Sequence, residues 1–224
     1  MLYIVSTPIG NLRDITLRAL ETLKSVDLIA AEDTRHTKIL LNHYEIQTPL
    51  TSYFEHNESK KADYLVGLLK EGKNIALVTD AGTPGISDPG YPLIQAAKEN
   101  NIPVTVIPGP TALIAALTLS GLPAHEFIFL GFLPVKSGGR RKKLEEIKRE
   151  TRTIIFYESP HRLLKTLKDI EEVLENPAIV VARELTKKFE EVKVGPVREI
   201  LEYFTLHAPR GEFVVLISET KNQS

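Results

Sequence analysis

Two short segments of this chain concentrate side chains that could bind and deprotonate a polar substrate. The first, Ala31-Glu-Asp-Thr-Arg-His-Thr37, holds four ionisable groups within five residues. Capping of a following helix would need only one of these side chains, at Asp33 or Thr34. Glu32, Asp33 and Arg35 are therefore candidates for holding a polar substrate, although capping with a local ion pair is the alternative interpretation.

The second segment is Phe156-Tyr-Glu-Ser-Pro-His-Arg162, which follows the apolar run Thr153–Phe156. Pro160 suits the first turn of a helix, so we expect Glu158 to lie at the end of a strand. A carboxylate in that place could take a proton from a substrate hydroxyl. Lys187 ends the next apolar run and could supply a cation. The six histidines have no spacing typical of a metal site, and we predict no metal.

Three glycine- and proline-rich loops must position these side chains. They are Ser6–Asn11, Asp80–Gly90 and Pro108–Ala112, and each follows a run typical of a buried strand. Glycine allows positive φ and a close approach of a ligand to the backbone. Strand ends of an open α/β sheet are the usual place for a ligand. Neither the dinucleotide-binding glycine pattern nor the P-loop pattern is present.

Hydrophobic periodicity predicts strands that alternate with helices. We predict strands at 2–6, 27–32, 74–79, 103–107, 126–131, 152–157, 178–183, 189–195 and 212–218. We predict helices at 15–25, 34–43, 58–70, 91–100, 110–120, 140–149, 161–174 and 196–204. Such alternation favours an α/β fold with mainly parallel sheets covered on both faces. The step from 183 to 189 is too short for a crossover helix, which makes the second sheet mixed. We expect two αβα domains, residues 1–115 and 116–224, with a ligand in the cleft between them.

Charge is concentrated in residues 136–152, which hold eight basic and three acidic side chains. A solvated helix face would explain this stretch. The alternative is contact with nucleic-acid phosphates, because each such contact releases condensed counterions. We assign that role to Arg140, Arg141, Lys142 and Lys143.

Composition narrows the class of protein. The chain has 224 residues, 42% of them hydrophobic and 25% charged, and a net charge of −1, as in ordinary globular proteins. No apolar run is long enough to span a membrane. The absence of cysteine and of a leader pattern at the start fits a cytoplasmic protein.

The six polar motifs stand in the order and spacing of one family. They are Ser6–Asn11, Ala31–Arg35, Asp80–Gly90, Pro108–Ala112, Phe156–Arg162 and Ala182–Lys187. With them the chain resembles the tetrapyrrole methylase (class III) family, and within it the branch that methylates small-subunit ribosomal RNA. The resemblance runs from Tyr3 to about Ser218. It implies methyl transfer from S-adenosylmethionine to the ribose 2′-hydroxyl of a cytidine in the decoding region of 16S rRNA. It also implies a homodimer and a substrate that is 16S rRNA within the 30S subunit.

The resemblance further implies which residues hold the cofactor, S-adenosylmethionine. Relatives have Gly-Asp-Pro where this chain has Gly82-Thr83-Pro84. The matching positions, together with Asp80 at the start of the same loop, are Pro8, Gly82, Thr83, Ile86, Thr111, Ala112, Tyr157, Ala182, Gly211 and Phe213. For catalysis we expect Arg35 to hold an RNA phosphate and Glu158 to accept the proton, with Glu32, Asp33 and Lys187 around them.

Two other functions compete with this interpretation. A C-methylase of porphyrin-like rings would need a large apolar trough and would gain nothing from the basic stretch. A non-catalytic RNA- or nucleotide-binding module would tolerate loss of the polar residues at 32–35 and 158–162.

Overall fold

A computed structural model describes residues 1–218, which form two compact units, Met1–Thr111 and a second that begins at Ala112. Residues 219–224 of the predicted second domain lie outside the described part. The division falls at 111/112 rather than at the predicted 115/116. The helix that starts at Ala112 packs against the strands of the second sheet, and this packing assigns the whole helix to the second unit.

The first unit is a parallel five-stranded sheet with helices on both faces. Its strands are β1 (Leu2–Val5), β2 (Leu28–Ala31), β3 (Leu50–Ser52), β4 (Ile75–Val78) and β5 (Val104–Ile107). Its helices are α1 (Leu17–Ser25), α2 (Thr34–His43), α3 (Glu58–Lys70) and α4 (Tyr91–Glu99), with a single 3₁₀ turn at Leu12–Asp14. The strand order is β3-β2-β4-β1-β5, and every pair is parallel.

Successive side chains of each strand point to opposite faces of the sheet, which divides the core of the first unit into two layers. Side chains of one parity, such as Ile4 and Leu77, pack with α3 and α4. Side chains of the other parity, such as Val5 and Val78, pack with α1 and α2. Because both faces are covered, the central strand β4 is buried along its whole length, as parallel strands require.

The second unit is a mixed five-stranded sheet. Its strands are β6 (Phe127–Phe132), β7 (Thr153–Glu158), β8 (Ala178–Arg183), β9 (Glu191–Pro196) and β10 (Phe213–Ile217). Its helices are α5 (Ala112–Ser120), α6 (Ser137–Ile147), α7 (Leu163–Leu174) and α8 (Val197–Leu206). The order is β6-β7-β10-β8-β9, in which only the β6–β7 pair is parallel. Helices α6, α7 and α8 share one core with this sheet, and α5 packs on β7, β8, β9 and β10.

The predicted α/β class, with a parallel first sheet and a mixed second sheet, is confirmed. Every predicted strand and helix is present, with ends displaced by up to three residues. The strand β3 was not predicted. It has only three residues, all half-buried, so it lacks the length on which a period-two pattern depends. No helix among residues 1–218 is long and apolar enough to cross a membrane.

Candidate active site

The order of strands in the first sheet brings the three glycine- and proline-rich loops together. Strands β4, β1 and β5 are neighbours and parallel, so the loops that follow them leave the same edge. Thr7 and Gly82 join the first two loops by a pair of backbone hydrogen bonds, with N···O distances of 2.8 and 3.1 Å. The loops therefore form one continuous backbone surface.

Three hydroxyl groups connect these loops through their side chains. The Ser6 Oγ lies 2.8 Å from Thr83 Oγ1, and Thr83 Oγ1 lies 3.2 Å from Thr111 Oγ1. A Cβ atom added at Gly109 would come within 2.8 Å of the Ser6 Cβ, a distance that a real side chain could not adopt. Glycine at this position is thus what allows the loop after β5 to lie against the loop after β1.

The loop after β4 holds several of the predicted cofactor residues. Gly82 has a φ of +83°, a conformation that favours glycine. Pro8 in the facing loop is buried, and Ile86 is half-buried. Ala112, also half-buried, is the first residue of α5. The structure thus places Thr83 in contact with both Ser6 and Thr111, and Ser6 is a residue that the sequence did not single out by itself.

A group of carboxylates lies at the same edge, where β2 and β4 end. The Asp80 N–H donates to Glu32 Oε2 at 3.3 Å, and the Asp33 N–H donates to Asp80 Oδ1 at 3.1 Å. Glu32, Asp33 and Asp80 are all half-buried. Two neighbouring strand ends thus hold three carboxylates in fixed positions.

Different environments shift the pKa values of the neighbouring Glu32 and Asp33 carboxyls in opposite directions. Burial, together with the charges of Asp80 and Asp33, raises the pKa of the Glu32 carboxyl, and the hydrogen bond from the Asp80 N–H only partly offsets this. Hydrogen bonds from the Arg35 side chain and backbone N–H lower the pKa of Asp33. Neighbouring acids whose pKa values are pushed apart are typical of acid–base sites. Glu32 is therefore the better proton acceptor of the two.

Asp33 also caps α2 and holds Arg35. Its Oδ1 accepts from the Arg35 backbone N–H at 2.8 Å and from Arg35 Nε at 3.1 Å, while Oδ2 accepts from Nη2 at 2.7 Å. The structure thus shows a helix cap together with a local ion pair, and this pair orients an exposed guanidinium. Substrate binding by Arg35 stays a prediction.

Glu158 lies inside the second unit rather than at a free strand end. Its side chain is fully buried, and both carboxylate oxygens are engaged. Oε1 accepts from the Ser159 N–H at 2.8 Å, and Oε2 accepts from Thr166 Oγ1 at 2.5 Å. Arg162 Nε lies 3.2 Å from Oε1. A carboxylate that anchors a turn in this way has no oxygen left for a substrate, so the structure corrects its predicted role as proton acceptor.

Lys187 is also held by partners. Its Nζ donates to Glu184 Oε1 at 3.0 Å and to Glu212 Oε2 at 2.7 Å. Burial lowers the pKa of Lys187, but these two hydrogen bonds outweigh burial and raise it. Lys187 therefore stays a fixed cation. A Cβ atom at the neighbouring Gly211, whose φ is +82°, would overlap the Glu184 side chain.

The other predicted cofactor residues of the second unit lie in or beside its sheet. Ala182 and Phe213 are buried on adjacent strands. Tyr157 packs edge-on against Phe129 and Phe132, with ring centroids 5.0 and 5.7 Å away.

The basic stretch is less available to RNA than its charge suggests. The Arg140 side chain is only 3% exposed, and its Nε donates to Asp169 Oδ2 at 2.7 Å. Arg141 pairs with Glu172, and Lys143 pairs with Glu146. The prediction that Arg140 binds RNA is therefore wrong, because its guanidinium already neutralises a buried carboxylate. Lys142 is exposed, and its contact with RNA stays a prediction.

Comparison with known proteins agrees with this architecture. Residues 1–201 match the tetrapyrrole (corrin/porphyrin) methylase family. The chain belongs to this family and is a methyltransferase that uses S-adenosylmethionine.

Its relatives and structural neighbours are similar over nearly the whole chain. Ribosomal RNA small subunit methyltransferase I of Synechocystis sp. is 53% identical over 219 residues, which are 97% of this chain and 78% of that protein. The protein of the same name from Thermotoga maritima is 50% identical over 97% of both chains. A crystal structure of diphthine synthase, 12% identical, has a TM-score of 0.77 and covers 98% of this chain and 90% of its own. At that identity the similarity shows the fold alone.

The buried pair of Arg140 and Asp169 gives a prediction about stability. Arg140→Gln leaves the Asp169 carboxylate without its buried partner, which costs about 3–5 kcal/mol in such pairs. The exposed neighbour Lys142→Gln is the matched control and should change stability by less than about 0.5 kcal/mol. Urea unfolding of both variants measures the difference, and equal midpoints would mean that Arg140 is not a structural residue.

Proposed function

We propose that this chain transfers a methyl group from S-adenosylmethionine to the ribose 2′-hydroxyl of a cytidine in the decoding region of 16S rRNA. Relatives at 50% identity or more are named ribosomal RNA small subunit methyltransferases, and the motifs imply the nucleotide and the atom. The structural observation that carries the proposal is the position of Glu32. It lies at the edge formed by the three loops, with a raised pKa and a backbone donor fixing one oxygen.

The first-unit loops suit the polar groups of S-adenosylmethionine. The cofactor would supply a methyl group on a positively charged sulfur, so the site needs alignment more than covalent catalysis. Hydroxyls of Ser6, Thr83 and Thr111 offer donors and acceptors within one connected cluster. Gly82 has a positive φ that favours glycine, and Gly109 lets the loop after β5 lie against Ser6. The contribution of Tyr157, Ala182 and Gly211 from the second unit stays a prediction.

The reaction requires that the 2′-hydroxyl lose its proton. A ribose hydroxyl is a weak nucleophile and gains from a positioned base. We assign this base to Glu32, because the Glu158 carboxylate is fully buried and saturated with hydrogen bonds. Asp33 holds Arg35, and Asp80 N–H orients Glu32. Glu158 then acts as a positioning residue for the turn that precedes α7.

Two further proposals concern assembly and location. We propose a homodimer that acts on 16S rRNA within the 30S subunit, in the cytoplasm. Helix α5 supports a subunit contact, because it carries no charged residue and leaves Ile114 and Leu119 about half exposed. Exposed apolar side chains grouped on one element are typical of protein interfaces.

The substrate is tested by offering three acceptors in parallel. With tritiated S-adenosylmethionine we expect label in 30S subunits or in 16S RNA, and none in a porphyrinogen. The similarity to a porphyrin methylase, at about 20% identity, concerns the fold and does not identify a substrate. Digestion of the labelled RNA should place tritium on a cytidine ribose. Label only in the porphyrinogen would establish the alternative activity, and label in no acceptor would favour a binding module.

Glu32→Gln tests the base. The amide keeps an acceptor for the Asp80 N–H but cannot take a proton, so single-turnover methylation should fall by about 10²- to 10⁴-fold. Affinity for S-adenosylmethionine and for RNA should be retained. Glu21→Gln, an exposed residue of α1, is the matched control. If Glu32→Gln methylates at the parent rate at every pH tested, Glu32 is not the base, and positioning of the substrate alone must explain the rate.

The same variant, which should lower the rate of methylation, should raise the stability of the folded protein near neutral pH. Because the pKa of Glu32 is raised on folding, the folded protein binds more protons than the unfolded chain just above the ordinary glutamate pKa. The free energy of unfolding contributed by this group therefore falls as the pH rises through the raised pKa. Glu32→Gln lacks this fall, so its stability relative to the parent, measured by urea unfolding, should increase between mildly acidic and neutral pH.

Gly109→Ala tests the cofactor site. The added methyl group must displace the Ser6 side chain, and overpacking of this kind costs about 1–3 kcal/mol. We expect weaker binding of S-adenosylmethionine by calorimetry. Gly67→Ala is the matched control, since a Cβ at that position in α3 meets no atom within 4 Å. Unchanged affinity in Gly109→Ala would show that the contact between these loops does not shape the cofactor site.

A further inference from the structure

An open groove lies where α2 begins beside the edge strand β3. Its volume is about 560 Å³. Its lining consists of two cations, three hydroxyls and one apolar side chain, from Arg35, Lys38, Thr34, Thr51, Ser52 and Leu50. None of these described lining residues is acidic, although residues 1–111 hold 10 Lys and Arg against 13 Asp and Glu. The groove is thus a positively charged concavity in a unit of net negative charge.

The two cations differ in how they are held. Arg35 is fixed by Asp33 through Nε and Nη2, so its guanidinium is oriented while its side chain remains 90% exposed. Lys38 lies one helical turn further along α2 and is exposed. Within residues 1–218 it has neither an ion pair nor a side-chain hydrogen bond. Its charge is therefore available to a ligand.

The donor set matches the oxygen atoms of a phosphodiester. Arginine and lysine are the usual partners of phosphate, and residues three apart on a helix present their side chains to the same side. The amino end of α2 adds a partial positive charge. Thr51 and Ser52 of β3 also line this groove. An open groove also suits a continuous polymer backbone, which must enter and leave.

We propose that this groove binds a backbone phosphate of the RNA, next to the nucleotide that is methylated. The inference rests on the proposed function. Hydrogen bonds connect the groove to the base: Arg35 contacts Asp33, the Asp33 N–H contacts Asp80, and the Asp80 N–H contacts Glu32. A phosphate held by Arg35 and Lys38 therefore orients the adjoining ribose toward Glu32, and Lys38 is an RNA-binding residue that the sequence motifs did not indicate.

The test compares Lys38→Gln with Lys98→Gln. Lys98 is an exposed lysine of the same unit in the last turn of α4, away from the strand ends that carry the site. RNA affinity is measured by filter binding with 30S subunits at several monovalent salt concentrations and fixed magnesium. Since one phosphate contact contributes a salt slope of about 0.7, loss of Lys38 should reduce the slope by roughly that amount and weaken binding roughly fourfold at 0.15 M salt.

Further measurements separate direct phosphate binding by Lys38 from an indirect effect on folding or on the cofactor site. Lys38→Arg should restore the slope, and Lys38→Gln should raise KM for RNA while the affinity for S-adenosylmethionine stays unchanged. Inorganic phosphate should compete only weakly with RNA for the groove.

Three results would overturn the groove assignment. A Lys38→Gln variant that matches Lys98→Gln in slope and affinity would do so, and methylation of 30S subunits by the parent would still support the proposed function. Tight binding of inorganic phosphate without any effect on RNA would assign the groove to a free anion. A parent protein that neither binds nor methylates RNA would overturn both the groove assignment and the proposed function.

Discussion

The pair of backbone hydrogen bonds between Thr7 and Gly82 is the contact on which the candidate site depends. It joins loops that are 75 residues apart in the chain, and it forms because β1 and β4 are neighbours in the sheet. Once these loops are joined, Ser6 meets Thr83, and Gly109 must lack a side chain. The predicted cofactor residues of the first unit and the hydroxyl cluster are thus brought together by one order of strands.

The charged residues of the two units serve different purposes. In the second unit Arg140 of α6 neutralises Asp169, and Arg162, just before α7, neutralises Glu158. A charge buried in this way stabilises the fold only while its partner is present. In the first unit Arg35 is paired with Asp33, whereas Glu32, just after β2, and Lys38 of α2 have no salt-bridge partner among residues 1–218.

The sequence predicted the positions of helices and strands better than it predicted which side chains pair with each other. Apolar periodicity located α2 and α3 at their observed ends, because both helices bury one regular stripe. The three loops could be grouped since parallel strands end at one edge. Burial of Arg140 and Glu158 could not be predicted, because it depends on Asp169 and Thr166 from α7. Residues 29 and 8 positions away supply these partners, and no local pattern records such a contact.

Glu158 and Glu32 both lie where a strand ends and a helix follows, yet among residues 1–218 only Glu158 has a salt-bridge partner. A carboxylate at a strand end appears free in the sequence, yet a following helix can return a hydroxyl and a guanidinium to it within one or two turns, as Thr166 and Arg162 do. Glu32 is followed by α2 in the same way, but there Asp33 takes the arginine and leaves Glu32 with one weak backbone donor. Glu32 therefore has no salt-bridge partner among residues 1–218, and in the proposed mechanism this is what leaves its carboxylate free to accept a proton.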